Sequence, residues 1–194
     1  MTKETPAAFL LLIKKLIQEE LIMFMNFLRN NRYAAGALVF IRLYLGWAWL
    51  TAGWGKVTGG FDAGGYLQGV LASEEVAATY PTYYAFIENI AVPNAGLFSF
   101  MVAWGELLVG LGLILGIFTT AAAFFGVTMN FAFLFAGTIS TNPLLVLLTI
   151  FILAAGANAG RFGGDRWVIP YLRTHVLARD WIQDHIPHPK KKAA

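Results

Sequence analysis

Four apolar runs, at 34–55, 95–118, 120–136 and 143–157, constrain this chain more than any other feature, because each approaches the length a helix needs to cross a bilayer. Hydrocarbon offers no water to backbone N–H and C=O groups, so such runs fold as helices that satisfy themselves. The composition agrees: 58% of the 194 residues are hydrophobic and 13% are charged, with a mean hydropathy of +0.62, unlike an ordinary soluble domain. The expected fold is all-α, an integral membrane four-helix bundle over 34–160, in which short connections make neighbouring helices antiparallel.

Charge placement orients that bundle. Lys3, Lys14, Lys15, Arg29 and Arg32 precede the first run, and Arg161, Arg166, Arg173, Arg179, Lys190, Lys191 and Lys192 follow the last. The connection 57–94 has no lysine or arginine and carries Asp62, Glu74, Glu75 and Glu88. The positive-inside rule puts both termini in the cytoplasm and 57–94 outside. Anionic lipid accounts for the basic ends, so no nucleic acid is implied. In the leader, 1–33, charges interrupt the apolar residues and no small-residue cleavage site follows, which argues for an amphipathic N-terminal helix on the membrane surface and against a removed signal peptide.

Within 57–94 the flexible "TGGFDAGG" leads to two helical candidates, "YLQGVLASEEVAATY", ending at Pro81, and "TYYAFIENIAV", ending at Pro93. Tyr80, Tyr83, Tyr84 and Phe86 suit the headgroup level, so this connection reads as an outer helical lid. Asn142 is the expected N-cap of the last run, with Pro143 at its first helical position. In the cytoplasmic tail, 161–194, Arg161, Asp165 and Arg166 are expected to pair in water, and 171–185, with Arg179 and Trp181, is a short helical candidate.

The polar residues inside the apolar runs carry the functional argument. Arg42, Gly46, Trp49, Gly53 and Lys56 are spaced by four, three, four and three, which makes one helical stripe. Its glycines let another helix approach, so the stripe points into the bundle. Glu106, near the middle of the second run, needs a partner, a proton or water. Counted from the membrane edges, Arg42 and Glu106 lie within about 10 Å in depth, close enough for long side chains to bridge. Lys56, at the outer boundary, reads as an interfacial anchor whose ammonium snorkels outward, or as part of a site with Trp49, Trp104 and Asn130 for a planar or anionic small molecule. Asn130 alone reads as a helix–helix hydrogen bond. The glycines of "GELLVGLGLILG" follow no strand, so they serve packing and form no phosphate loop. The chain has no cysteine, and His175, His185 and His188 all lie in the tail. No haem, iron–sulfur or metal site is therefore visible, and electron transfer would need a cofactor held elsewhere.

The phrases "RLYLGWAWLTAGWGKVTGGFD", "WGELLVGLGLILGIFTTAAAFFG" and "NAGRFGGDRW" together resemble the DoxX family over roughly 35–172, a family that includes DoxD-like subunits of thiosulfate:quinone oxidoreductase. The resemblance implies a four-helix protein of a bacterial or archaeal cytoplasmic membrane, with quinone as electron acceptor and thiosulfate or another small reductant as donor. The resemblance reaches Arg42, Lys56 and Glu106 as charged positions of the matching motifs; together with the intramembrane cluster it makes Glu106 and Arg42 the candidate catalytic charges, while Lys56, Trp49, Trp104 and Asn130 are the candidate substrate- or quinone-binding residues. A second oxidoreductase subunit, or further copies of the chain, join the bilayer as expected partners. Two other readings stand beside this one: a non-catalytic scaffold that recruits a redox or detoxifying enzyme through its polar tail, and a small-solute carrier. No internal repeat or broken helix pair supports the carrier.

Overall fold

The computed structural model describes residues 6–177, and among the described residues there is no strand. The expectations placed on Lys3, Arg179, Trp181, His185, His188 and Lys190 to Lys192 lie outside the described residues, as does the end of the 171–185 candidate.

Helix α1, Pro6–Asn30, leaves Phe9 to Phe27 largely exposed and carries the Lys15–Glu19 ion pair at 3.8 Å. Only its last turn is docked. Leu28 is buried, Arg29 Nε donates to the Ala154 carbonyl at 3.0 Å, and Asn158 Nδ2 donates to the Leu28 carbonyl at 2.7 Å. Asn31 then caps α2, Arg32–Gly59, by accepting from Tyr33 N and Ala34 N. The helix ends at Gly60, whose left-handed backbone (φ 69°) turns its N–H onto the Lys56 carbonyl. Helix α2 thus outlasts the 34–55 run and includes Lys56.

The connection is more divided than its sequence suggests. It forms α3, Ala63–Leu71; α4, Glu74–Thr79; α5, Pro81–Phe86; and a π-helical turn, Ile87–Ala91. The helix expected up to Pro81 breaks at Ser73, whose hydroxyl accepts from Val76 N at 3.3 Å, because a side-chain cap there competes with continued helix. Nor is "TGGFDAGG" a loose linker, since Asp62 caps α3 and Ala63 N donates to Ser99 Oγ at 2.8 Å. These elements enclose Leu67, Val70, Val76 and Ile87 in an apolar cluster of their own.

Three further long helices follow: α6, Ala95–Leu115; α7, Thr119–Phe135; and α8, Asn142–Ala155, which runs on as a 3₁₀ turn, Gly156–Gly160. Helix α9, Asp165–Leu172, and a π-helical turn, Arg173–Leu177, complete the described chain. Helix α2 packs on α6 and α8, and α7 packs on both α6 and α8. Three helical segments, Arg32–Gly59, Ala95–Leu115 and Asn142–Gly160, are long and apolar enough to cross a membrane, while Thr119–Phe135, at 17 residues, is a shorter apolar helix. Asn142 is not the cap of α8. Thr141 occupies that position, and Asn142, already helical, turns its amide back to the Thr138 carbonyl at 2.9 Å, leaving Pro143 at the second helical position.

Candidate functional site

Close approach of α2 and α6 fixes the depth of every polar residue in the interior. A Cβ on Gly53 would collide with the backbone of Leu107, one on Gly110 with that of Leu50, and one on Gly46 with Ile114. The two helices therefore run antiparallel, with Gly53 against Glu106 and Leu107, and Arg42 against Gly116. Arg42 and Gly53 are separated by about 16 Å of helix, so the expected Arg42–Glu106 pair does not form.

Glu106 pairs with Lys56 instead. Lys56 Nζ lies 2.7 Å from Glu106 Oε2, with the carboxylate side chain 3% exposed and the lysine 26%. The ammonium also sits 5.5 Å from the centre of the Phe61 ring, a cation–π distance. Lys56 turns inward because a helix that continues to Gly59 keeps it on the stripe facing α6, where a buried carboxylate attracts it more than the interface does.

Two more polar side chains are buried on α2 and α7. Trp49 is buried, and its indole N–H points at Gly126 of α7, where the absence of a side chain makes room for the ring. Asn130 lies one turn further along the same face of α7 and is completely buried. Contacts of Gly105 with Met129 and of Gly112 with Ala122 set the α6–α7 register, which puts Asn130 within a turn of the depth of Glu106. Among the described residues neither Trp49 Nε1 nor either amide atom of Asn130 has a hydrogen-bond partner, although each unmet buried group costs about 1–3 kcal/mol. The Lys56–Glu106 pair and these unmet polar atoms lie on neighbouring turns of α2, α6 and α7. Trp104 does not join them: its side chain is exposed and stands beside Phe100, with ring centres 6.1 Å apart.

Arg42 belongs to a separate centre at the other end of α2. It is buried, and its guanidinium donates to the carbonyls of Ala159 at 3.4 Å and Phe162 at 3.3 Å, within the electrostatic reach of Asp165. Asp165 does not bridge Arg161 or Arg166. Its carboxylate accepts from Phe118 N at 2.6 Å and Thr119 N at 3.0 Å, because the first N–H groups of α7 have no helical acceptor. Sequence reasoning missed this role. A lone acid in a basic exit was the available signal, but its target is a pair of backbone groups more than forty residues away.

The connection 57–94 adds two tyrosines over α7. Tyr83 OH donates to the Ala132 carbonyl at 2.8 Å, and Tyr66 OH meets Thr138 Oγ1 at 2.9 Å. Burial pushes the Tyr83 phenol up to about 12 and raises that of Tyr66 as well.

Residues 37–138, a little over half of the chain, match the family described as DoxX. No curated protein and no solved structure matches the chain. The matched segment contains Arg42, Trp49, Lys56, Trp104, Glu106 and Asn130; the exit that holds Asp165 lies beyond it.

Proposed function

The chain belongs to the DoxX family, and from that premise we propose that it is the membrane subunit of a quinone-linked oxidoreductase, built as four spans with both termini in the cytoplasm. In this reading α7, about 25 Å long, is the fourth span, a mismatch with the hydrocarbon core that local thinning accommodates at modest cost. Residues 57–94 form the outer lid over the polar layer. The observation that carries the proposal is the buried Lys56–Glu106 pair, with unmet buried polar atoms of Trp49 and Asn130 on helices that pack against α6.

That donor set suits a quinone. When bound, quinone supplies a two-electron, two-proton acceptor, the electrons coming from a small reductant such as thiosulfate, two molecules of which join through a new sulfur–sulfur bond. Trp49 Nε1 and Asn130 Nδ2 would donate to oxygens of a bound ring, and Asn130 Oδ1 would accept from a hydroxyl. Lys56 Nζ would stabilise negative charge on a ring oxygen and give it one proton, Glu106 would pass a proton taken up from water back to the lysine, and the second proton would come from water by the same route. Arg42, at the far end of α2, acts as a positioning residue that ties α2 and α6 to the exit. The donor is oxidised on this chain or on a second subunit.

Binding tests the site directly. A short-chain quinone analogue titrated into the full chain in neutral detergent should quench tryptophan fluorescence. Trp49→Phe should remove a distinct part of the quenching, and Asn130→Ala should weaken affinity about tenfold, the equivalent of one buried hydrogen bond. Equal quenching and affinity in parent and variants would remove quinone from this layer.

A further inference from the structure

At the end of the molecule opposite Lys56 and Glu106, a cavity of about 870 Å³ opens between the last turn of α1, the start of α7, the 3₁₀ turn and α9. Among the described residues, Arg29, Arg161, Arg166 and Arg173 line it, opposed by a single carboxylate, Asp165. That carboxylate is already held by two backbone N–H groups of α7, and none of the four arginines forms an ion pair among the described residues. Arg29 bonds the Ala154 carbonyl through Nε alone, so its terminal guanidinium nitrogens keep their donors. A second observation is independent of the arginines. Thr119, completely buried, lines the same cavity, and its hydroxyl has no partner among the described residues.

We propose that this cavity binds a phosphate-bearing anion, held by the guanidinium groups of Arg161, Arg166 and Arg173 and by Thr119 Oγ1. Planar guanidinium forks match phosphate oxygens in bidentate geometry. Two sources share this chemistry, an anionic lipid headgroup and a soluble phosphate compound. The cavity's rim favours the lipid, since Phe118 and Phe162 both line it and are half-exposed, as acyl chains beside a headgroup would require. Positive-inside topology puts this end in the leaflet where anionic lipids recruit basic pockets.

The test uses the full chain in neutral detergent, titrated separately with phosphatidylglycerol, phosphatidylcholine and inorganic phosphate, and read by thermal unfolding and by bound mass in native mass spectrometry. Phosphatidylglycerol should raise the Tm and remain bound where phosphatidylcholine does neither. Arg161→Gln, Arg166→Gln and Arg173→Gln should each weaken that affinity about fivefold. Lys14→Gln with Lys15→Gln, outside the cavity, should leave it unchanged. Where a glutamine variant does not fold, the corresponding lysine variant, which keeps the charge and loses the fork, should give an intermediate loss. Stabilisation by inorganic phosphate that is lost in the same arginine variants would support the soluble source. Equal responses to the two lipids without a response to phosphate, or affinities untouched in all three arginine variants, would overturn the proposal.

Discussion

Lys56 and Glu106 illustrate how a buried charge pair differs from two buried charges. Removing one partner leaves the other without compensation in a site where the carboxylate side chain is 3% exposed. Lys56→Met should therefore destabilise the protein by about 3 kcal/mol, while Lys56→Met combined with Glu106→Leu should recover most of that loss. Denaturant unfolding in a fixed detergent measures both, and a double variant as unstable as the single one would show that the penalty arises elsewhere. At this scale the sequence was partly legible. The spacing of Arg42, Trp49 and Lys56 correctly put all three on a face turned to other helices, since helical periodicity is written into a single segment. Which partner each charge meets depends on how α2 slides along α6. That register is decided by where Gly46, Gly53 and Gly110 interlock, and Glu106 consequently meets Lys56 and not Arg42.

Among the elements, the α2–α6 contact is the least tolerant of added volume. Gly53→Val should cost about 1–3 kcal/mol by forcing the backbones apart, and it should also weaken quinone-analogue binding, because it shifts Glu106 relative to Trp49; intact stability in the variant would contradict this packing. Asp165→Ala uncovers the first N–H groups of α7 and should lower stability by about 1–2 kcal/mol, read in the same unfolding assay. The outer tyrosines make a pH prediction. A phenol whose folded pKa lies above its ordinary value contributes stability that is complete below about pH 10 and falls as pH rises toward about 12, the raised value of Tyr83. Attachment of 57–94 to α7 should loosen in that window, and spectroscopic titration of Tyr83→Phe should lack the highest phenol transition. An unchanged titration curve would assign that transition to another tyrosine. Long apolar helices were legible because their length and composition suffice to define them. The break at Ser73 and the cap by Asp165 were not, since a short polar side chain chooses its backbone partner only once the neighbouring turn exists.

For the molecule as a whole, the two ends differ in chemistry: the acidic connection 57–94, tied to α7 by tyrosines, and a basic exit where Arg42, Asp165 and four cavity-lining arginines gather among the described residues. The proposed orientation can be mapped with unusual economy, because the chain has no cysteine. A single cysteine at Ser73 should react with a membrane-impermeant maleimide added outside intact cells, and one at Arg161 only after the membrane is opened; the reverse pattern would invert the topology. Charge asymmetry is what the sequence offers on orientation, whereas the burial of Trp49 Nε1 and the Asn130 amide without partners among the described residues emerged only once the helices were packed. The most direct measurement is reduction of a soluble quinone analogue by the full chain in lipid, with thiosulfate as donor and any co-purifying subunit retained. The proposed mechanism predicts turnover that falls at least about a hundredfold in Glu106→Gln, with the variant still folded. Turnover unchanged by Glu106→Gln would contradict it, and no turnover from folded protein with any small reductant would favour a scaffold over an oxidoreductase.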